Sequence, residues 1–102
     1  MGSRNKKTEA VRIVGLADSI SRNRNTGHAM DRLAEICELL GPGWGLKVYW
    51  SSSGWEVDIR SGYGLIPYYS VVEDKLITAI KKMAQKIYKD AEDGSIHVSL
   101  QD

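Results

Sequence analysis

The stretch Leu46–Ile59, LKVYWSSSGWEVDI, decides how this chain is read. Two runs of alternating apolar and polar residues flank a cluster of serines and a glycine. Alternation with period two is the mark of a half-buried strand, and Ser and Gly at the join mark a turn. With Ser51–Gly54 as a four-residue loop, Trp50 faces Trp55, Val48 opposes Val57 and Leu46 opposes Ile59. Strand side chains alternate between faces, so these pairs share one side of the hairpin. Lys47 with Asp58 and Tyr49 with Glu56 share the other. A slip by one residue would turn the whole apolar set outward, which makes this register the favoured one. It puts Trp50 and Trp55 on the face that carries the core, and we expect both to be packed there. The competing use of the pair is an exposed platform for bases or sugars.

Downstream of the hairpin, Arg60-Ser61-Gly62-Tyr63-Gly64 reads as a turn. Leu65 to Tyr69 reads as a third strand, with Pro67 marking it as an edge. Ser70-Val71-Val72-Glu73 has the form of a capping box, serine followed three residues later by glutamate. It predicts a helix running to about Asp90, with Leu76, Ile80, Met83, Ala84 and Ile87 as its core stripe. Lys75, Lys82, Lys86 and Lys89 fall on the opposite side. Glu92-Asp93-Gly94 turns the chain, and Ile96, Val98 and Leu100 alternate with polar residues as a last short strand.

Upstream, Thr8 is placed to cap a helix from about Glu9 to Ser21. Val11, Val14, Ala17 and Ile20 are its apolar stripe, widened by Ile13 and Leu16. Arg22-Asn23-Arg24-Asn25-Thr26-Gly27 is a polar connection. A second helix, about His28 to Leu40, turns Met30, Leu33, Ala34, Cys37 and Leu40 to one side, and Gly41-Pro42 stops it. Together these elements predict an α+β fold in the order α-α-β-β-β-α-β. A small antiparallel sheet of three to four strands would carry helices packed on one face. Residues 1–7 read as a basic leader, expected to be disordered, and 8–102 as a single globular domain.

Composition narrows the function. The 102 residues carry 14 basic and 13 acidic side chains, for a net charge of +1. That balance suits neither a polyanion mimic nor a histone-like polycation. Cys37 is the single cysteine, so no internal disulfide forms, and a cytoplasmic location is expected. No apolar run approaches the ~20 residues of a membrane span, so no membrane partner is expected.

Catalytic and cofactor chemistries find no footing. His28, Cys37 and His97 match no zinc spacing, so no metal is expected. Gly41-Pro42-Gly43-Trp44-Gly45 follows a helix and precedes a strand, the reverse of a phosphate loop, where helix amides meet the anion. No Gly-x-Ser-x-Gly elbow occurs, and Cys37 lies on an apolar helix face, where burial makes a thiol inert. We expect no catalytic residues, no cofactor and no enzyme activity.

Binding remains. Most aromatic residues fall between Trp44 and Tyr69. Tyr and Trp suit interfaces because they join large area to a polar handle. Tyr49, Tyr63, Tyr68 and Tyr69 are therefore the candidate protein contacts, with a homodimer through the sheet as one form. The alternative is a nucleic-acid-binding module. Its contacts would be Arg22 and Arg24 in the polar connection, and Lys82, Lys86 and Lys89 along the last helix.

Gly54-Trp55-Glu56-Val57-Asp58-Ile59, a glycine turn, and then Glu73-Asp74-Lys75-Leu76-Ile77-Thr78-Ala79-Ile80 form a strand hairpin followed by a helix. Over about residues 46–89 this resembles small phage and mobile-element proteins, and is similar at that level to the HicB family of antitoxins. The resemblance implies a small non-catalytic regulatory protein that occupies a surface of a protein partner. The partner class it implies is a nucleic-acid-handling or defence complex, such as CRISPR machinery.

Overall fold

A computed structural model of the chain describes residues 6–61 and 67–94. The order of elements is α1 (Lys6–Arg22), α2 (Thr26–Leu40), β1 (Trp44–Ser51), β2 (Gly54–Ser61), β3 (Tyr69–Glu73) and α3 (Leu76–Glu92). The strands form one antiparallel sheet in the order β1-β2-β3. The fold is α+β, as the patterning requires. The expected strand at Ile96–Leu100 lies outside the described residues.

The hairpin register is the one that side-chain alternation predicts: Trp50 pairs with Trp55, Val48 with Val57 and Leu46 with Ile59. Ser51 also pairs with Gly54, so the loop shortens to Ser52 and Ser53. Ser51 braces it, its hydroxyl accepting from the Ser53 N–H at 3.2 Å and donating to the Gly54 carbonyl at 3.3 Å. Gly54 has φ of +119°, and a Cβ there would stand 2.7 Å from the Glu73 carbonyl oxygen. Only glycine meets both the backbone angle and the close approach of β3.

β3 corrects the expectation for residues 67–73: strand begins only at Tyr69 and runs to Glu73, while residues 65 and 66 lie outside the described residues. Ser70-Val71-Val72-Glu73 is strand, not a helix cap. Two successive β-branched valines favour the pleat, and the alternation Tyr69 and Val71 inward, Ser70 and Val72 outward has period two. Ser70 donates its hydroxyl to Asp58 Oδ1 at 2.7 Å, across the strands, instead of capping a helix. α3 begins only at Leu76. Lys75 is its N-cap in extended conformation, with no side-chain cap bond.

α1 also starts earlier than expected, at Lys6, inside the stretch read as a disordered leader, and Thr8 lies in its first turn. Lys and Glu are good helix formers, and Glu9 in the first turn complements the helix dipole. Its buried stripe is Glu9, Ile13, Ala17 and Ile20, and Val11, expected inside, is 65% exposed. α2 is capped by Asn25, whose Oδ1 accepts from the His28 N–H at 2.9 Å. It ends where expected, with Gly41 at φ 115° donating its N–H to the Glu38 carbonyl. Its core face is Ala29, Leu33, Ile36, Cys37, Leu39 and Leu40, while Met30 and Ala34 are half-buried.

All helices lie on one side of the sheet. α2 rests on β1, α3 rests on β2 and β3, and α1 caps the pair of helices rather than the sheet. The core forms where α3 (Ile80, Met83, Ala84, Ile87) meets Val57, Ile59 and Val71 below and Ile13, Ala17 and Ile20 above. Tyr69 is buried with them, and its hydroxyl donates to Asp90 Oδ2 at 2.6 Å, pinning β3 to the far half of α3. Among the described residues no helix is long and apolar enough to cross a membrane.

Candidate binding surface on the first strand

Among the described residues β1 is an edge of the sheet, and the helices cover its inner side only in part. Trp44, Leu46 and Val48 are half-buried, and Trp50 is 62% exposed. This corrects the expectation that Trp50 and Trp55 both pack in the core, for Trp55 is only half-buried and is not among the residues that form the core. Trp50 does lie on the core-facing side, but at the hairpin tip, beyond the residues the helices cover. It is still held in place: its ring meets Trp55 edge-on, with centroids 5.4 Å apart. The other end of β1 carries a second aromatic group. Trp44 meets Tyr68 at 5.2 Å, and Tyr68 meets Tyr69 at 4.9 Å, both edge-on. An apolar row thus runs the length of β1 between two fixed aromatic ends.

The backbone of β1 presents the same edge. The Tyr68 N–H donates to the Ile59 carbonyl, so the odd-numbered residues of β2 turn their peptide groups toward β3. Peptide direction alternates along a strand, so the even-numbered residues of β2 bond to β1. Through the constant register those partners are Gly45, Lys47, Tyr49 and Ser51. Leu46, Val48 and Trp50 therefore point their N–H and C=O groups away from the sheet. No described strand pairs with them.

The outer face of the sheet differs from the aromatic contact surface that strand alternation suggested. It carries Lys47, Tyr49, Glu56, Asp58, Arg60, Ser70 and Val72, and is mainly charged. Tyr49 is half-buried there, with Lys47 Nζ 4.8 Å from its ring centre. The carboxylate of Glu56, its cross-strand neighbour, pushes the phenol pKa up to about 12. Asp58 is fully buried, and its carboxyl is shifted upward, first by burial and then by neighbouring Glu56 against the Ser70 hydrogen bond. Glu56 moves the opposite way, held down mainly by its bond to Tyr49.

Of the expected protein contacts, Tyr68 is 53% exposed beside Trp44, Tyr49 belongs to the charged face, and Tyr69 is buried and offers no contact face. Tyr63 lies outside the described residues. Trp50, which the sequence pattern assigned to the core, is instead a large exposed aromatic residue. Its signal was its place next to the turn, where a hairpin outruns the helices above it.

The nucleic-acid candidates separate into two groups. Arg22 and Arg24 border a recess of about 500 Å³ with Asp18, Ser19 and Asn23. Asp18 holds Arg22 at 3.3 Å. Arg32, on α2, bonds to Ser19, one of the lining residues, donating to its Oγ at 2.8 Å, and donates also to the His28 carbonyl at 3.2 Å. Lys82, Lys86 and Lys89 are exposed on α3, but Lys82 is engaged by Glu73 at 2.7 Å. Cys37 is buried, and burial pushes its thiol up to about 11. No group of three His, Cys, Asp or Glu that could hold a metal occurs among the described residues.

No protein-family model matches the chain, and no curated protein and no solved structure is detectably similar to it.

Proposed function

We propose that this is a small non-catalytic binding protein that acts by docking a protein partner on the edge of β1. The observation that carries this reading is Trp50, 62% exposed yet held against Trp55. A pre-positioned tryptophan loses little freedom on binding, and tryptophan is enriched among the residues that dominate interface energy. Outward peptide groups beside it suit an extended segment that adds a strand to the sheet. The assignment to phage or mobile-element regulators rests on the hairpin-and-helix resemblance, and a cytoplasmic setting on the single thiol. The test places a photo-crosslinking residue at position 50 and, as a control, at position 92. The expected result is protein adducts at 50 only, competed away by the unlabelled parent and not by Trp50→Ala. Equal labelling at 92, or adducts to nucleic acid alone, would overturn the reading.

A second reading is carried by the recess at Arg22 and Arg24. It makes this corner a contact for nucleic-acid phosphates, with Arg32 and Asn23 beside it. Arginine forks suit phosphate oxygens, and the loop Asn23–Asn25 projects them at the turn between α1 and α2. Salt-dependent binding of mixed-sequence RNA and DNA tests it.

A further inference from the structure

We propose that β1 pairs antiparallel with β1 of a second copy, across a two-fold axis through Val48. This rests on the β1 binding surface proposed above and names its occupant. A two-fold axis perpendicular to the sheet keeps the helix-bearing sides together, so each residue must meet one of the same face. Few registers satisfy that rule, and their side chains tell them apart. With Val48 opposite itself, Leu46 meets the second copy's Trp50, and Gly45 meets the second copy's Ser51. Every inner side chain from Leu46 to Trp50 then faces another apolar one. The outward N–H and C=O of Val48 supply the central hydrogen-bonded pair.

The outer face agrees. In this register Lys47 meets the second copy's Tyr49, an ammonium against a ring. The same contact already forms within one strand, at 4.8 Å. Centring on Lys47 instead would set two like charges directly opposite, which is destabilising. Centring on Leu46 would oppose Trp50 to Pro42, which has no N–H to give. Centring on Tyr49 would leave Leu46 against Ser52. The Val48 register also covers the exposed Trp50 with Leu46 of the other copy.

The test has two arms, run on the full chain in a Cys37→Ala background. Sedimentation is expected to show a reversible dimer at micromolar concentration. Trp50→Lys should weaken it at least tenfold with only a small fall in melting temperature, because the side chain is mostly exposed. The second arm reads the register. Lys47 and the second copy's Tyr49 form a non-hydrogen-bonded pair, with Cα atoms about 4.5 Å apart, within disulfide reach. Under mild oxidation a mixture of Lys47→Cys and Tyr49→Cys chains should cross-link, and each variant alone should cross-link poorly. A strictly monomeric protein would overturn the proposal, as would self-linking of either variant above that of the mixture. A monomer whose position-50 probe still labels a different protein sinks the self-pairing and leaves the binding surface standing. A monomer with no protein adduct sinks both.

Discussion

Trp50 and Met83 are both large apolar residues, and their surroundings give them opposite weights. Met83 is completely buried between sheet and helices, so Met83→Ala should cost about 2–5 kcal/mol. Trp50→Ala removes mainly the edge-on contact with Trp55, worth about 0.5–1.5 kcal/mol. Chemical denaturation of the two variants checks this, and a Trp50→Ala loss as large as that of Met83→Ala would contradict the exposed position. Asp58 is legible in a different measurement. Its carboxyl binds a proton more tightly in the fold than in the unfolded chain, chiefly because it is buried. The fold therefore loses stability as pH rises from the ordinary aspartate value, about 3.9, to the raised one. The amide introduced by Asp58→Asn stays neutral at every pH, and its oxygen can still accept from Ser70. Asp58→Asn should melt higher than the parent near about pH 7, and the gap should close toward about pH 4. Glu56, shifted downward, gains importance in the opposite direction, but it is present in both proteins. A gap that widens on acidification would show that Asp58 is stabilising as a carboxylate. The pairing of Asp58 with Lys47 was legible from alternation. Its burial was not, because an aspartate on an outward strand face reads as solvated.

At the scale of elements, the boundary between β3 and α3 is where local signals conflicted. Ser70-x-x-Glu73 carries a capping-box pattern, while Val71-Val72 carries a strand pattern. The strand wins because β2 offers it a hydrogen-bonded partner and a register that buries Tyr69 and Val71. The consequence is an α3 whose N-cap, Lys75, supplies no side-chain bond although its backbone is extended, as a cap requires. Lys75→Ser should therefore stabilise the protein by about 1 kcal/mol, measured by denaturation. No gain, together with a loss of helix in Ser70→Ala, would restore the capping-box assignment. Gly54 joins the same elements. Gly54→Ala must strain a φ of +119° and drive a methyl to 2.7 Å from the Glu73 carbonyl. It should lower stability by more than the roughly 1 kcal/mol common for a point change, and shift the β2–β3 amide signals first.

At the scale of the molecule, the basic residues singled out for nucleic acid fall in separated groups among the described residues. Arg22 and Arg24 border the recess at the α1–α2 turn, while the lysines lie on α3, with Lys82 tied to Glu73. If phosphates are bound at the turn, affinity for RNA should fall steeply with salt. Arg22→Gln with Arg24→Gln should then flatten the slope by roughly one unit per lost contact. Neutralising Lys86 and Lys89 should leave it unchanged. Equal losses from both pairs would mean a diffuse field rather than a site, and no binding of either nucleic acid would remove the second reading.

The hairpin was determined by the sequence alone, because a period of two with apolar pairs on one side admits one register. The stop of α2 at Gly41-Pro42 and the stripe of α3 were equally legible, since glycine angles and a 3.6-residue period act locally. The reach of the helices over the sheet was decided by tertiary structure. α2 and α3 cover Val57, Ile59 and Val71 but stop short of Trp50, so residues on one face of one hairpin divide into core and surface. The assignment of Ser70–Glu73 to a strand was likewise settled by β2. The bond from Arg32 to Ser19, a residue that lines the recess, exists only because α1 and α2 fold back on each other. Pattern along a chain fixes which way a side chain turns. What it meets there depends on the packing of elements distant in sequence.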